Sequence, residues 1–143
     1  MALFDKGHPK EPERITEPVD PSWVRTPKGA FLPLLSLDPE ELGLSGVGGV
    51  YLIWHGGVRP EWVYAGHDTN LATALHQAGN DPDIHYFEKN GGLFVAWAPV
   101  IEKYRPGVVK YIEETFKTQI KNGRDFTDST VPVPVIAPVT KKK

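Results

Sequence analysis

Two short runs of β-branched and aromatic residues, Val50-Tyr51-Leu52-Ile53-Trp54 and Trp62-Val63-Tyr64-Ala65-Gly66, flank a connection that holds Gly56-Gly57 and Pro60. Such residues favour a pleated, half-buried backbone, and a short glycine-containing connection reverses the chain between them. A β-hairpin is therefore predicted at the centre, and every other element must be fitted around it. Asp68, Thr69 and Asn70 follow, each a good helix N-cap, and Leu71, Ala74, Leu75 and Ala78 then recur on one helical face up to Gly79. Residues 79–92 are polar and read as a loop. Leu93-Phe94-Val95-Ala96-Trp97 reads as a third strand. After Pro106, Val109, Ile112, Phe116 and Ile120 predict a second helix ending near Asn122-Gly123.

The order is β-β-α-β-α, which implies an α+β domain: a three-stranded antiparallel sheet flanked by helices. Fourteen prolines and fourteen glycines in 143 residues leave much of the chain for turns and extended segments. Residues 1–29 read as an extended Pro-rich arm, with Trp23 and Val24 as anchors that could dock on the domain. Residues 30–123 form the domain, and 124–143 a Pro-rich basic tail in which Val131–Val139 alternates valine with proline. Pro33 restricts the stretch Phe31–Leu35 to a sheet edge. Asp38-Pro39-Glu40-Glu41-Leu42 reads as one capped helical turn.

Several chemistries are excluded by composition. The chain has no cysteine, hence no disulfide, thiolate metal site, redox pair or cysteine nucleophile. No apolar run is long enough to span a membrane, and Met1–Lys10 lacks the apolar stretch of a signal peptide, so a soluble cytoplasmic protein without a membrane partner is expected. The formal charge is −2. A protein that holds nucleic acid mainly by neutralising phosphates is normally basic. Here any basic surface is local, with Lys141, Lys142 and Lys143 the densest cluster.

Among the acids, Glu113 stands out. At 100° per residue it falls inside the apolar arc of Val109, Ile112, Phe116 and Ile120, whereas Glu114 faces solvent. A carboxylate there reaches the edge of the arc, pairs with a neighbour, or binds a ligand. Tyr51 and Tyr64 lie on the two hairpin strands as cross-strand neighbours. They are either half-buried packing residues or, with a carboxylate, a groove that positions water and one divalent ion. His8, His55 and His76 read as solvated; His67 directly follows the second strand. No histidine pair has zinc-ligand spacing, and Gly46-Val47-Gly48-Gly49 precedes a strand, so it is no phosphate loop.

In this order the motifs resemble the GIY-YIG nuclease domain. Gly49-Val50-Tyr51 is similar to the first signature tripeptide and Tyr64-Ala65-Gly66 to the second. Thr69-Asn70-Leu71 resembles the opening of that family's first helix, and Glu113-x-x-Phe116 its Glu-x-x-Leu. The resemblance covers about residues 46–120. It implies a metal-dependent DNA endonuclease, a phosphodiester hydrolase in which Tyr51, Tyr64 and His67 are catalytic and Glu113 holds a single Mg²⁺ or Mn²⁺. The family's helix arginine falls at Ala74, and its late asparagine finds no match within Val131–Pro138. Arg59, Lys103, Arg105 and His85 are the cations considered as replacements. The alternative is a catalytically inactive module of the same fold that binds DNA or a protein partner, the latter through the Pro-rich flanks.

Overall fold

The computed structural model describes residues 16–26 and 30–138. His8, most of the arm and the cluster Lys141–Lys143 lie outside the described residues. The hairpin forms as expected from β2 (Gly49–His55) and β3 (Glu61–Asp68), after a two-residue strand β1 (Leu32–Pro33). Helices α1 (Leu71–Asn80) and α2 (Pro82–His85) follow, then β4 (Leu93–Ala98) and α3 (Arg105–Ile112). Among the described residues the sheet has four antiparallel strands in the order β1-β4-β2-β3, one more than the sequence pattern implied. The extra strand is the Pro33 segment. It pairs at the sheet's edge, where a residue without an N–H can be accommodated.

Alternation along β2 divides the molecule into two layers. Tyr51 and Ile53, with Leu93, Val95 and Trp97 of β4, pack under Leu71, Ala74, Leu75 and Ala78 of α1 and Ile84 of α2. Val50 and Leu52, with Ala96 and Ala98, pack under Val108, Val109 and Ile112 of α3. Helix α1 starts where its sequence requires: Asn70 Oδ1 accepts the Ala72 and Thr73 N–H groups. Asp38 similarly accepts the Glu40 and Glu41 N–H groups, closing its predicted turn.

Both flanks are extended, as their prolines require, and their described parts are docked. Trp23, Val133 and Val135 are buried in the α3 layer. Val19 bridges Val135 in parallel, and Trp23 Nε1 donates to Ile136 O at 2.7 Å. Gly107 of α3 makes room for this tail, because a Cβ there would collide with Val131 O and Val133.

Three local expectations are corrected. The loop over 79–92 contains α2 and a 3₁₀ segment, Tyr86–Asn90. His55 is buried, 3 % exposed, and not solvated: its ring stacks on Phe87 of that segment, and its Nε2 meets Glu61 Oε1 at 2.9 Å. The last helix does not reach Asn122. It widens into one π-helical turn, Glu113–Lys117, and stops where Lys117 adopts φ +63°. The following backbone has another use: Gln119 and Ile120 donate their N–H groups to Trp62 O and Val63 O at 2.9 Å. Beta3 is an edge strand with unpaired backbone groups, and this segment covers them. Among the described residues no helix is long and apolar enough to cross a membrane.

Candidate phosphate-binding site

The segment that covers the edge of β3 also builds the site. Beyond Ile120 the chain turns at Asn122, which is 3 % exposed. Its Nδ2 donates to Ala65 O at 2.9 Å and to Asp125 Oδ2 at 2.8 Å, while its Oδ1 accepts the Arg124 and Asp125 N–H groups, both at 3.0 Å. Asp125 Oδ2 also accepts the His67 N–H at 3.0 Å. The side chains of Asn122 and Asp125 thus extend the strand pairing along β3, and the Asn122–Asp125 turn is fastened to the strand that carries Tyr64 and His67.

Tyr51 and Tyr64 share the α1-side face of the hairpin, with ring centroids 6.2 Å apart. Gly66, opposite Tyr51 in the ladder, leaves space for the phenol: a Cβ there would fall 2.5 Å from Tyr51 Oη and 3.1 Å from Asp125 Oδ2. Burial pushes the Tyr51 phenol far above its ordinary range, and the neighbouring Tyr64 and Asp125 raise it further. Tyr64 is raised as well, first by burial and then by Asp125, against a lowering by Arg124. Both phenols are therefore neutral hydrogen-bond donors at physiological pH. The Arg124 guanidinium is solvent-exposed and lies within side-chain hydrogen-bond reach of the Tyr64 hydroxyl; its pKa is raised by Tyr64 and then by Asp125, the Tyr64 charge acting only once the phenol ionises at alkaline pH. His67 Nε2 lies 2.9 Å from Asp125 O. A carbonyl oxygen only accepts, so that nitrogen carries hydrogen and Nδ1 is left as the basic position.

Of the four expected site residues, Tyr51 and Tyr64 meet here, while His67, paired with Val50, lies on the opposite, α3-side face and touches the site only through Asp125. Glu113 connects only through Asn122: its Oε1 accepts the Asn122 N–H at 2.7 Å. A divalent ion needs several oxygen ligands. Glu113 offers one oxygen beyond that bond, and among the described residues no three His, Asp or Glu side chains are grouped to hold a metal. With that oxygen Glu113 would hold a Mg²⁺ whose remaining ligands are waters or a substrate phosphate, and the ion would supply Lewis-acid chemistry there.

Ala74 is buried against the sheet, so α1 supplies no cation. Nor do the replacements considered from sequence. Arg59 is at the hairpin tip, His85 lies exposed in α2, and Lys103 sits beside the Tyr104 ring. Arg105 donates through Nε to Val100 O at 2.6 Å and lies against Gly48. Arg124 is the cation that reaches the tyrosines, and the sequence carried no local signal for it. It reaches them because Asn122 and Asp125 bond to a strand almost sixty positions earlier, a long-range contact that periodicity does not encode.

Comparison with protein-family models, with curated proteins and with solved structures gave no match in any of the three.

Proposed function

We propose that the chain is a nucleic-acid-binding module on a GIY-YIG-like scaffold, which holds a backbone phosphate between Arg124 and the hydroxyls of Tyr64 and Tyr51. The observation that carries this reading is the exposed Arg124 guanidinium set against Tyr64 on the face that bears the tyrosine pair. A guanidinium and two neutral phenols can each donate a hydrogen bond to an anionic oxygen. The resemblance of Gly49-Val50-Tyr51 and Tyr64-Ala65-Gly66 to the signature tripeptides supports a phosphodiester as that anion. The acids nearby are committed to backbone donors: Asp125 to His67 N–H, Asp68 to Asn70 N–H and Asp81 to Asp83 N–H. With a net charge of −2, affinity comes from this patch and not from the overall field.

The second reading is an endonuclease of the same class. Arg124 favours it, because it supplies the positive charge that Ala74 lacks. The engagement of Glu113 by Asn122 favours binding without cleavage. Titration of labelled single-stranded and duplex oligonucleotides, with Arg124→Glu alongside, tests the first reading: saturable binding is expected, and the variant should abolish it. The same substrates incubated with Mg²⁺ or Mn²⁺ should stay intact. Cleavage that disappears in Glu113→Ala would replace the first reading with the second.

A further inference from the structure

At the far end of the same hairpin lies a cavity of about 630 Å³, between the turn and the 3₁₀ segment, with His55, Gly57, Arg59, Glu61, Lys89 and Gly91 in its lining. Its size is within the range of small-ligand sites. The two glycines are required: a Cβ on Gly91 would fall 2.5 Å from Gly57 Cα, and one on Gly57 would collide with Asn90 O. Part of the wall is consequently bare backbone. The acid in the lining, Glu61, is drawn to His55 Nε2 at 2.9 Å, and the adjacent Glu88 accepts the Leu93 N–H. Arg59 and Lys89 form no ion pair among the described residues; the Lys89 ammonium lies 3.8 Å from the centroid of the exposed Tyr86 ring. Two exposed cations with no carboxylate partner among the described residues flank the groove.

His55 alternates with Tyr51 and Ile53 along β2, so the groove opens at the end of the face that carries the tyrosine pair. Along β2, Tyr51 and His55 are four residues apart, about 13 Å. A single strand covers that distance in a few nucleotides, more than the one internucleotide phosphate of a dinucleotide can reach. We infer that the hairpin-tip groove is a second anion site, in which Arg59 and Lys89 take a further phosphate of the strand held at Tyr64 and Arg124. The ligand is then an oligonucleotide long enough to span both sites, not a mononucleotide or dinucleotide. This inference rests on the proposed phosphodiester reading of the tyrosine site.

The test compares a labelled thymidine dinucleotide with an octanucleotide, on the wild-type chain and on Arg59→Ala/Lys89→Ala. Both replaced side chains are exposed, so the variant should fold, which circular dichroism checks. Wild-type affinity should rise at least tenfold from dinucleotide to octanucleotide. The double variant should lose that gain while keeping dinucleotide affinity, and its salt slope for the octanucleotide should fall by about 0.7, the value for one single-strand phosphate contact. Binding that gains nothing with length, or a gain that survives in the variant, overturns the second site and leaves the tyrosine site standing. No binding of either ligand by the wild type overturns both.

Discussion

Asn122→Ala removes the side chain on which the site's geometry depends. Four hydrogen bonds are lost: two donated by Nδ2, to Ala65 O and the Asp125 carboxylate, and two accepted by Oδ1 from Arg124 and Asp125. A neutral bond contributes about 1 kcal/mol net, one to a charged group about 1.5–3, and a buried acceptor left unpaired costs about 1–3. Bonds within one turn are not additive, and water reaches the exposed Arg124 end, so a loss of about 3 kcal/mol is expected. Against a total of about 5–15 kcal/mol, that is a large fraction. With a urea m-value of about 2 kcal/mol/M, the unfolding midpoint should fall by about 1.5 M. Oligonucleotide binding should fall with it, since Arg124 is no longer fixed against Tyr64. Asn122→Asp keeps the Oδ1 acceptor but places a carboxylate oxygen against Ala65 O and Asp125, so it should be at least as damaging. A loss below 1 kcal/mol for the alanine variant, or a milder effect for aspartate than for alanine, would refute the reasoning.

Other outcomes follow from the same structure. Burial raises the Tyr51 phenol above its ordinary value of about 10. The unfolded chain therefore loses this proton first as pH rises, and the stability it contributes is present below about pH 10 and is lost above it. Alkaline unfolding should be less steep in Tyr51→Phe, by up to about 1.4 kcal/mol per pH unit, as read from urea midpoints at successive pH values. Gly66→Ala should push the Tyr51 phenol out of place, costing about 1–3 kcal/mol in urea unfolding and lowering oligonucleotide affinity. Lys117→Gly should stabilise the chain by about 1 kcal/mol, because φ +63° is strained for a side chain with a Cβ; a lower melting temperature would contradict that reading of the helix end.

What was legible in the sequence was local. The hairpin, the Asn70 cap and the buried face of α1 follow from alternation, turn residues and helical spacing, and Pro33 limited its stretch to an edge position, although the strand it forms there was not among the three expected. Where neighbours decided, the sequence pattern failed. Apolar spacing through Ile120 predicted a longer helix, but the open carbonyls of Trp62 and Val63 took the Gln119 and Ile120 N–H groups. His55 looked like a turn residue because Phe87, which covers it, lies in a segment too polar to suggest packing. Glu113 was correctly placed on the core side of its helix, yet its bonding partner is the Asn122 backbone nine residues on. The tyrosine pair could be read as cross-strand neighbours. The Asn122–Asp125 turn that completes the site could not, since it depends on side chains that pair with a strand edge rather than on any local pattern.

The most direct test of the central claim is a ¹H–¹⁵N correlation titration of the full chain with a short single-stranded oligonucleotide. The backbone amides of Tyr64–His67 and Asn122–Asp125, together with the Arg124 side-chain resonance, should shift first and saturate together, and Arg124→Ala should abolish those shifts without unfolding the protein. Shifts confined to other surfaces, or unchanged by the loss of Arg124, would contradict a phosphate site at the tyrosine pair.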